Sequence, residues 1–326
     1  MVNWFNQKYL DGQPELIATR TGFGEGLVMA GEADEKVVGL CCDLTDSTKM
    51  TAFQKKFPDR FFELGVAEQN MVGVAAGLAL NGYIPFAASY AVFSPGRSWD
   101  QIRVSVCYTN ANVKIVGGHT GLSVGPDGAT HQALEDLAIT RVLPNITIVV
   151  PADSVQAKQA TTEIARLEGP TYLRLTRENT PVIFADTALF KIGQAQILIE
   201  GADLTLIAAG PILDLALKAQ KKLLEKNISA TVINLHTIKP LDEEALLKAA
   251  ETGLIITLEE HQITGGLGSA VAEFLSEKKP VPILRFGVND TFAESGPPEA
   301  LWQKYGLTLE HLLTLVEKGF EMKNNF

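Results

Sequence analysis

The stretch Ile146-Thr147-Ile148-Val149-Val150-Pro151-Ala152-Asp153-Ser154 decides the fold class. A run of Ile, Thr and Val stops at a proline. Asp153 or Ser154 then stands where a side-chain oxygen can cap the orphan N–H groups of a helix. A helical period follows from Ser154 to Leu167, and Thr171 to Leu175 is a second apolar run. Two strands without polar alternation, joined by a capped helix, form the unit of a parallel sheet covered by helices on both faces.

The same alternation extends outward. Val37 to Cys42, Ile84 to Ser89 and Val113 to Gly117 read as further strands, with helices over Ala67 to Leu80, Arg97 to Cys107 and Gln132 to Arg141. Between about Thr176 and Gly193 the periodicity stops at Asn179-Thr180-Pro181, which reads as an interdomain linker. Beyond it Leu204 to Ala208, Ala230 to Leu235, Leu254 to Leu258 and Ile283 to Phe286 read as strands, with helices from Ile212, Asp242 and Leu267. The expectation is two α/β domains, residues 1–190 and 191–326, the first a mainly parallel-sheet domain and the second smaller.

Composition narrows the function. The 326 residues carry 28 Lys and Arg against 38 Asp and Glu, a formal charge of −10, which argues against a nucleic-acid groove. A local basic pocket for a small anion is still compatible with that balance. Cys41, Cys42 and Cys107 form no C-x-x-C pair, so a reduced, cytoplasmic compartment is expected. Gln69 to Gly96 lacks any charge, yet Asn81-Gly82 and Pro85 break it, so it reads as a buried helix and strand rather than a membrane span. The segment Met1 to Tyr9 lacks the basic-then-apolar plan of a signal peptide.

Three loops carry more polar and glycine residues than a connection needs. In Gly65-Val66-Ala67-Glu68-Gln69-Asn70-Met71, Glu68 falls in the first turn of an otherwise apolar helix. It is either a carboxylate answering the helix dipole or a carboxyl tuned by apolar surroundings to bind one ligand atom. Gly117 to Gln132 holds His119, Asp127 and His131 among several glycines; the spacing matches no common zinc signature, so no metal site is assigned to this chain. Arg174 and Arg177 close the last strand of the first domain, one of them suited to phosphate and the other to the surface. Gly265-Gly266-Leu267-Gly268 reads as a tight turn into a helix, not a phosphate loop.

Together Gly65 to Met71, Gly125-Pro126-Asp127-Gly128-Ala129-Thr130-His131-Gln132 and Thr176-Arg177-Glu178-Asn179 resemble the pyrimidine-binding half of transketolases. From about Ala18 onward the chain resembles the separately encoded C-terminal subunit of split transketolases. The resemblance implies a mixed sheet in the second domain and thiamine diphosphate as cofactor. Glu68 would hydrogen-bond the aminopyrimidine, Tyr90 and Phe93 would pack on it, and Asp43 would lie near it. His119, Asp127, His131 and Arg177 would line a sugar-phosphate channel, and Arg20 and Ser47 would make further phosphate contacts. Glu68, His119 and His131 are the implied catalytic side chains.

The chain has no Gly-Asp-Gly, the family's diphosphate and metal motif. The resemblance therefore implies a separate N-terminal subunit holding the diphosphate and Mg²⁺ (or Ca²⁺), two copies of each chain in an α2β2 assembly, and transfer of a two-carbon ketol unit between sugar phosphates. Three other readings are weighed. Deoxyxylulose phosphate synthase normally has Arg where this chain has His119. The β subunit of 2-oxo acid dehydrogenases needs no sugar-phosphate loop. A non-catalytic partner subunit would need neither Glu68 nor that loop.

Overall fold

The computed structural model describes residues 4–325; Met1–Asn3, the start of the segment read for a signal plan, and Phe326 lie outside the described residues. A first sheet has seven strands in the order Thr237–Lys239, Thr147–Val149, Thr171–Arg174, Lys114–Gly118, Ile84–Tyr90, Val37–Cys41, Phe61–Glu63. All neighbours run parallel except the first pair. A second sheet orders Ile283–Val288, Ile255–Gln262, Leu204–Ala208, Ala230–Asn234, Gln196–Ile199, parallel but for the last pair. The expected α/β class and the mixed second sheet are therefore present.

The unbroken apolar strands follow from cover on both faces. Val37–Cys41 and Lys114–Gly118 are buried at every residue. Helices Thr19–Ala33 and Ser154–Arg166 meet on one face because Gly22 lets backbones touch: a Cβ there would lie 1.9 Å from Ser154 O. Helix Glu68–Leu80 covers the other face through Met71, Val72, Ala75 and Ala76. That apolar cluster continues into the second half through Ile207, Ile233, Leu246 and Leu267, so the two halves share one core.

Several elements went unread, among them helix Thr19–Ala33 and strand Phe61–Glu63, and at four further places the structure changes what was read. Thr237–Lys239, from the second half, closes the first sheet antiparallel to Thr147–Val149. The Gln132 to Arg141 helix begins only at Asp136, because Ala133 bridges to Thr120 and the Gln132 side chain bonds Gly125 O and Glu294 O. The helix expected from Arg97 winds in wide π-type turns over Val92–Arg97 and Ile102–Tyr108, with Ser94 out of helical geometry beside Pro95. Finally, the interdomain stretch is packed: Val182, Ile183, Phe184 and Phe190 are buried, and Thr180–Pro181 pairs with Leu16–Ile17.

Asp153 ties several of these parts together. One oxygen caps the helix at Gln156 N (2.8 Å), and the other accepts Ile183 N and Phe184 N, both at 2.8 Å. Asp153→Ala removes the cap and strands two further buried donors. Chemical denaturation should show a loss of about 2 to 4 kcal/mol; an unfolding midpoint within error of wild type would remove Asp153 from this role.

Candidate active site

The parallel strands of the first sheet put their carboxyl ends on one edge, where ligands of α/β sheets bind. Tyr90 ends Ile84–Tyr90, His119 follows Lys114–Gly118, and Arg177 leaves after Thr171–Arg174. Asp43 and Ser47 follow Val37–Cys41, and Glu68 opens the helix after Phe61–Glu63. Because these strands are neighbours in the sheet, residues distant in sequence converge.

Glu68 is 2% exposed and its Oε2 accepts Arg97 Nη1 at 2.7 Å. The Arg97 guanidinium also lies 4.6 Å over the Phe93 ring. Phe93 stacks with Tyr90 at 6.1 Å, and Tyr90 stacks on His119 at 3.7 Å. His131 meets Tyr90 and Phe93 edge-on, at 6.0 and 5.3 Å. Carboxylate, aromatic rings and imidazoles thus form one continuous surface. Cys42 lies close enough for the Glu68 charge to act on it; burial chiefly, with that charge, pushes its thiol up to about 11, so it stays protonated.

The other end of this surface is cationic. His119 is buried at φ 56°, a left-handed conformation uncommon outside glycine, and its Nδ1 has no partner. Burial first, then the charges of Arg20, Arg177, His131 and Lys49, lower its pKa to about 3. Arg20 donates Nη1 to Ser47 O at 2.8 Å, while its buried Nε is unpartnered; burial and Arg177 lower its pKa. Arg177 donates Nη1 to Val124 O at 2.6 Å and lies 3.7 Å from Asp127 Oδ2. Thr130 Oγ1 contacts His131 Nδ1 at 2.8 Å. Two guanidiniums with an unpartnered N–H and a neutral imidazole suit a tetrahedral anion on a polyol.

Of the residues singled out from sequence, Glu68, Tyr90, Phe93, His119, His131, Asp127, Arg177 and Arg20 are brought together. Ser47 joins them through its carbonyl. Asp43 is exposed, and its N–H donates to Glu63 Oε1; its side chain makes none of the site's hydrogen bonds. The two arginines do divide, but neither goes to the surface as expected: Arg174 is buried on Asp136 inside the molecule, because that carboxylate pairs with it, and Arg177 is half-buried beside Asp127. Sequence reading missed Arg97. Its signal was the i, i+4 spacing from Phe93, which puts a cation over an aromatic face on any helix-like turn. At Gly265-Gly266-Leu267-Gly268 the helix N-terminus is filled by the chain's own Glu259, which accepts Leu267 N at 2.7 Å and Gly268 N at 2.9 Å, so the stretch is a turn as read. No helix among the described residues is long and apolar enough to cross a membrane.

Fold and site together define a two-domain α/β protein with a buried carboxylate and aromatic cluster beside a loop flanked by arginine and histidine side chains. Residues 15–182 match the family model of the transketolase pyrimidine binding domain, and 193–312 that of the transketolase C-terminal domain. The chain is 45% identical over 296 residues to a putative transketolase C-terminal section of Methanocaldococcus jannaschii, covering 90% of this chain and 93% of the relative. It is 41% identical to a 6-deoxy-6-sulfo-D-fructose transketolase subunit of a Clostridium species, covering 91% and 93%. A solved structure described as a split gene transketolase, inactive beta4 tetramer, matches with a TM-score of 0.89 and 47% identity, covering 94% of this chain and 99% of that one. The chain belongs to the transketolase family, with the make-up of the pyrimidine-binding, C-terminal subunit of a split transketolase.

The depressed pKa of His119 has a testable sign. Burial and the neighbouring cations hold it near 3, below the ordinary imidazole value of about 6.5, so the neutral ring's contribution to stability is intact above 6.5 and is lost as pH falls toward 3. Imidazole NMR should show His119 not titrating between pH 5 and 8; a midpoint near 6.5 would mean the ring is solvated and free.

Proposed function

We propose that this chain is the pyrimidine-binding subunit of a transketolase assembled from two polypeptides, transferring a two-carbon ketol unit from a ketose phosphate to an aldose phosphate. The observation that carries the reading is the buried Glu68 carboxylate beside the Tyr90–Phe93 stack, at the same sheet edge as His119, Arg20 and Arg177. The family implies thiamine diphosphate, and the residues fit its ring half. Glu68 Oε1 accepts no hydrogen bond among the described residues, and aromatic faces adjoin it. When bound, the cofactor supplies the nucleophilic carbon that cleaves the ketose and carries the two-carbon unit.

This chain's residues then have separate tasks. Glu68 would accept a hydrogen bond from a ring N–H of the bound pyrimidine and so orient that ring. Tyr90 and Phe93 hold the ring and exclude water, with Asp43 near its edge. The imidazoles of His119 and His131 hold or move protons at substrate hydroxyls. Asp127 takes a further hydroxyl, while Arg20, Ser47 and Arg177 meet the anionic end. The name of the Clostridium relative includes a sulfonated sugar. Sulfonate, like phosphate, is a tetrahedral oxyanion, so the same cations serve either.

With no Gly-Asp-Gly here, a partner N-terminal subunit would hold the diphosphate and Mg²⁺ (or Ca²⁺), in an α2β2 assembly with two sites. That the related inactive tetramer is described as made of β chains supports the need for a partner. The division near residue 190 is part of the same reading, supported by family matches that end at 182 and resume at 193. Three buried, free cysteines fit a cytoplasmic enzyme.

In a complex reconstituted with the partner, Glu68→Gln should lower turnover at least about a hundredfold, the scale for a proton-handling group. Wild-type rates would remove Glu68 from the chemistry. Arg177→Ala should impair phosphorylated donors and spare hydroxypyruvate; equal losses on both would make Arg177 a structural residue.

A further inference from the structure

The substrate loop is held from behind by the second domain. Glu260, 3% exposed on strand Ile255–Gln262, accepts Ser123 N at 2.7 Å and Trp302 Nε1 at 3.3 Å, both on Oε1. Gly121 packs so closely that a Cβ there would sit 2.5 Å from Glu260 Oε1. The Glu260 carbonyl accepts Arg174 Nη2 at 3.0 Å, which fixes the strand beneath the carboxylate. A second tie lies further along. Gln132 Nε2 bridges Gly125 O and Glu294 O, at 3.4 and 3.2 Å, and Cβ atoms on Gly125 and Gly128 would meet Pro298 and Ser295. Gly121, Gly125 and Gly128 all have positive φ, so the loop follows a path that tolerates these contacts and few side chains.

The ties bracket the candidate substrate residues. His119 precedes Gly121 by two positions, Asp127 lies between Gly125 and Gly128, and His131 adjoins Gln132. Turning Ser123 N–H away from Glu260 would leave a buried carboxylate short of a donor, so the loop has one favoured position. Behind the carboxylate a cavity of ≈ 510 Å³ opens between the domains, lined also by Thr176, Asn179 and Trp302, so no bulk packing replaces the bond if it is lost.

We propose that Glu260 is a positioning residue for the sugar-binding loop, so that the second domain sets where His119, Asp127 and His131 stand. The kinetic part of the test rests on the transketolase reading; the structural part does not. Glu260→Gln keeps the size and an oxygen for Ser123 N–H. Glu260→Ala removes the oxygen. In the free chain, the imidazole NMR signals of His119 and His131 should shift in Glu260→Ala and stay near wild type in Glu260→Gln. In the reconstituted complex, Glu260→Ala should raise KM for a ketose phosphate about tenfold or more, as expected for a displaced binding loop, with thiamine diphosphate affinity unchanged by calorimetry and Gln close to wild type.

Unmoved histidine signals in Glu260→Ala would overturn the proposal whatever the activity. So would equal losses of sugar and cofactor affinity, which a merely structural role would produce. Moved signals in Glu260→Ala, together with a wild-type complex that cleaves no ketose phosphate, would leave the positioning role standing and count against the proposed function alone. If Glu260→Ala fails to fold, Glu260→Leu, which also removes the oxygen but fills the space, is read in the same two ways.

Discussion

The Arg174–Asp136 ion pair is the joint on which the rest of the molecule depends. Arg174 Nε and Nη2 meet the two Asp136 oxygens at 2.7 and 3.1 Å, the Tyr172 hydroxyl adds a 2.6 Å bond, and hardly any of either side chain reaches water. Burial alone would push the Asp136 carboxyl up; the Arg174 guanidinium and then His261 offset this and hold it below its usual range. Breaking such a pair from one side costs about 3 to 5 kcal/mol, because the remaining charge is stranded. Its position matters more than its strength. Asp136 starts the shortened helix after the Gly117 to Gln132 loop, Arg174 ends a central strand, and Arg174 also bonds the Glu260 carbonyl of the second domain. Sheet, loop and second domain are registered at one point.

From that joint the site follows by topology. Neighbouring parallel strands end at one edge, so Glu68, Tyr90, His119 and Arg177 need only short excursions to meet. The backbone is left-handed at His119, where the ring turns onto Tyr90, and desolvation beside Arg20 and Arg177 keeps the imidazole neutral. Positive charge, aromatic faces and a buried carboxylate are laid out in sequence along this edge, an order suited to a flat ring at one end and an anion at the other.

The sequence made the architecture legible where burial is two-sided. Runs such as Val37 to Cys42 and Val113 to Gly117 admit no polar alternation, and they are central strands. It was silent where a partner strand supplies the reason for an extended segment. Phe61–Glu63 and Thr237–Lys239 are short, and nothing local marks the second as an edge of the first domain's sheet. Gln132 looked helical because its helical period is sound; what unwound it is a hydrogen bond to Glu294, far away in the chain. The candidate site was legible through motif likeness at Glu68 and in the Gly117 to Gln132 loop, whose side chains the fold brings to one edge. Arg97 and Glu260 escaped, since each acts through a neighbour that only the fold provides.

In the proposed function this chain contributes the ring half of a site that another polypeptide completes. Thermal unfolding with thiamine diphosphate and Mg²⁺ tests it most directly, on the purified chain and on a mixture with a partner subunit that carries the Gly-Asp-Gly motif. Little shift is expected for the chain alone and a clear rise in midpoint for the mixture, because ligand that binds only the assembled state stabilises only that state. A strong shift, or ketol transfer, from this polypeptide alone with partner excluded by mass spectrometry would contradict it.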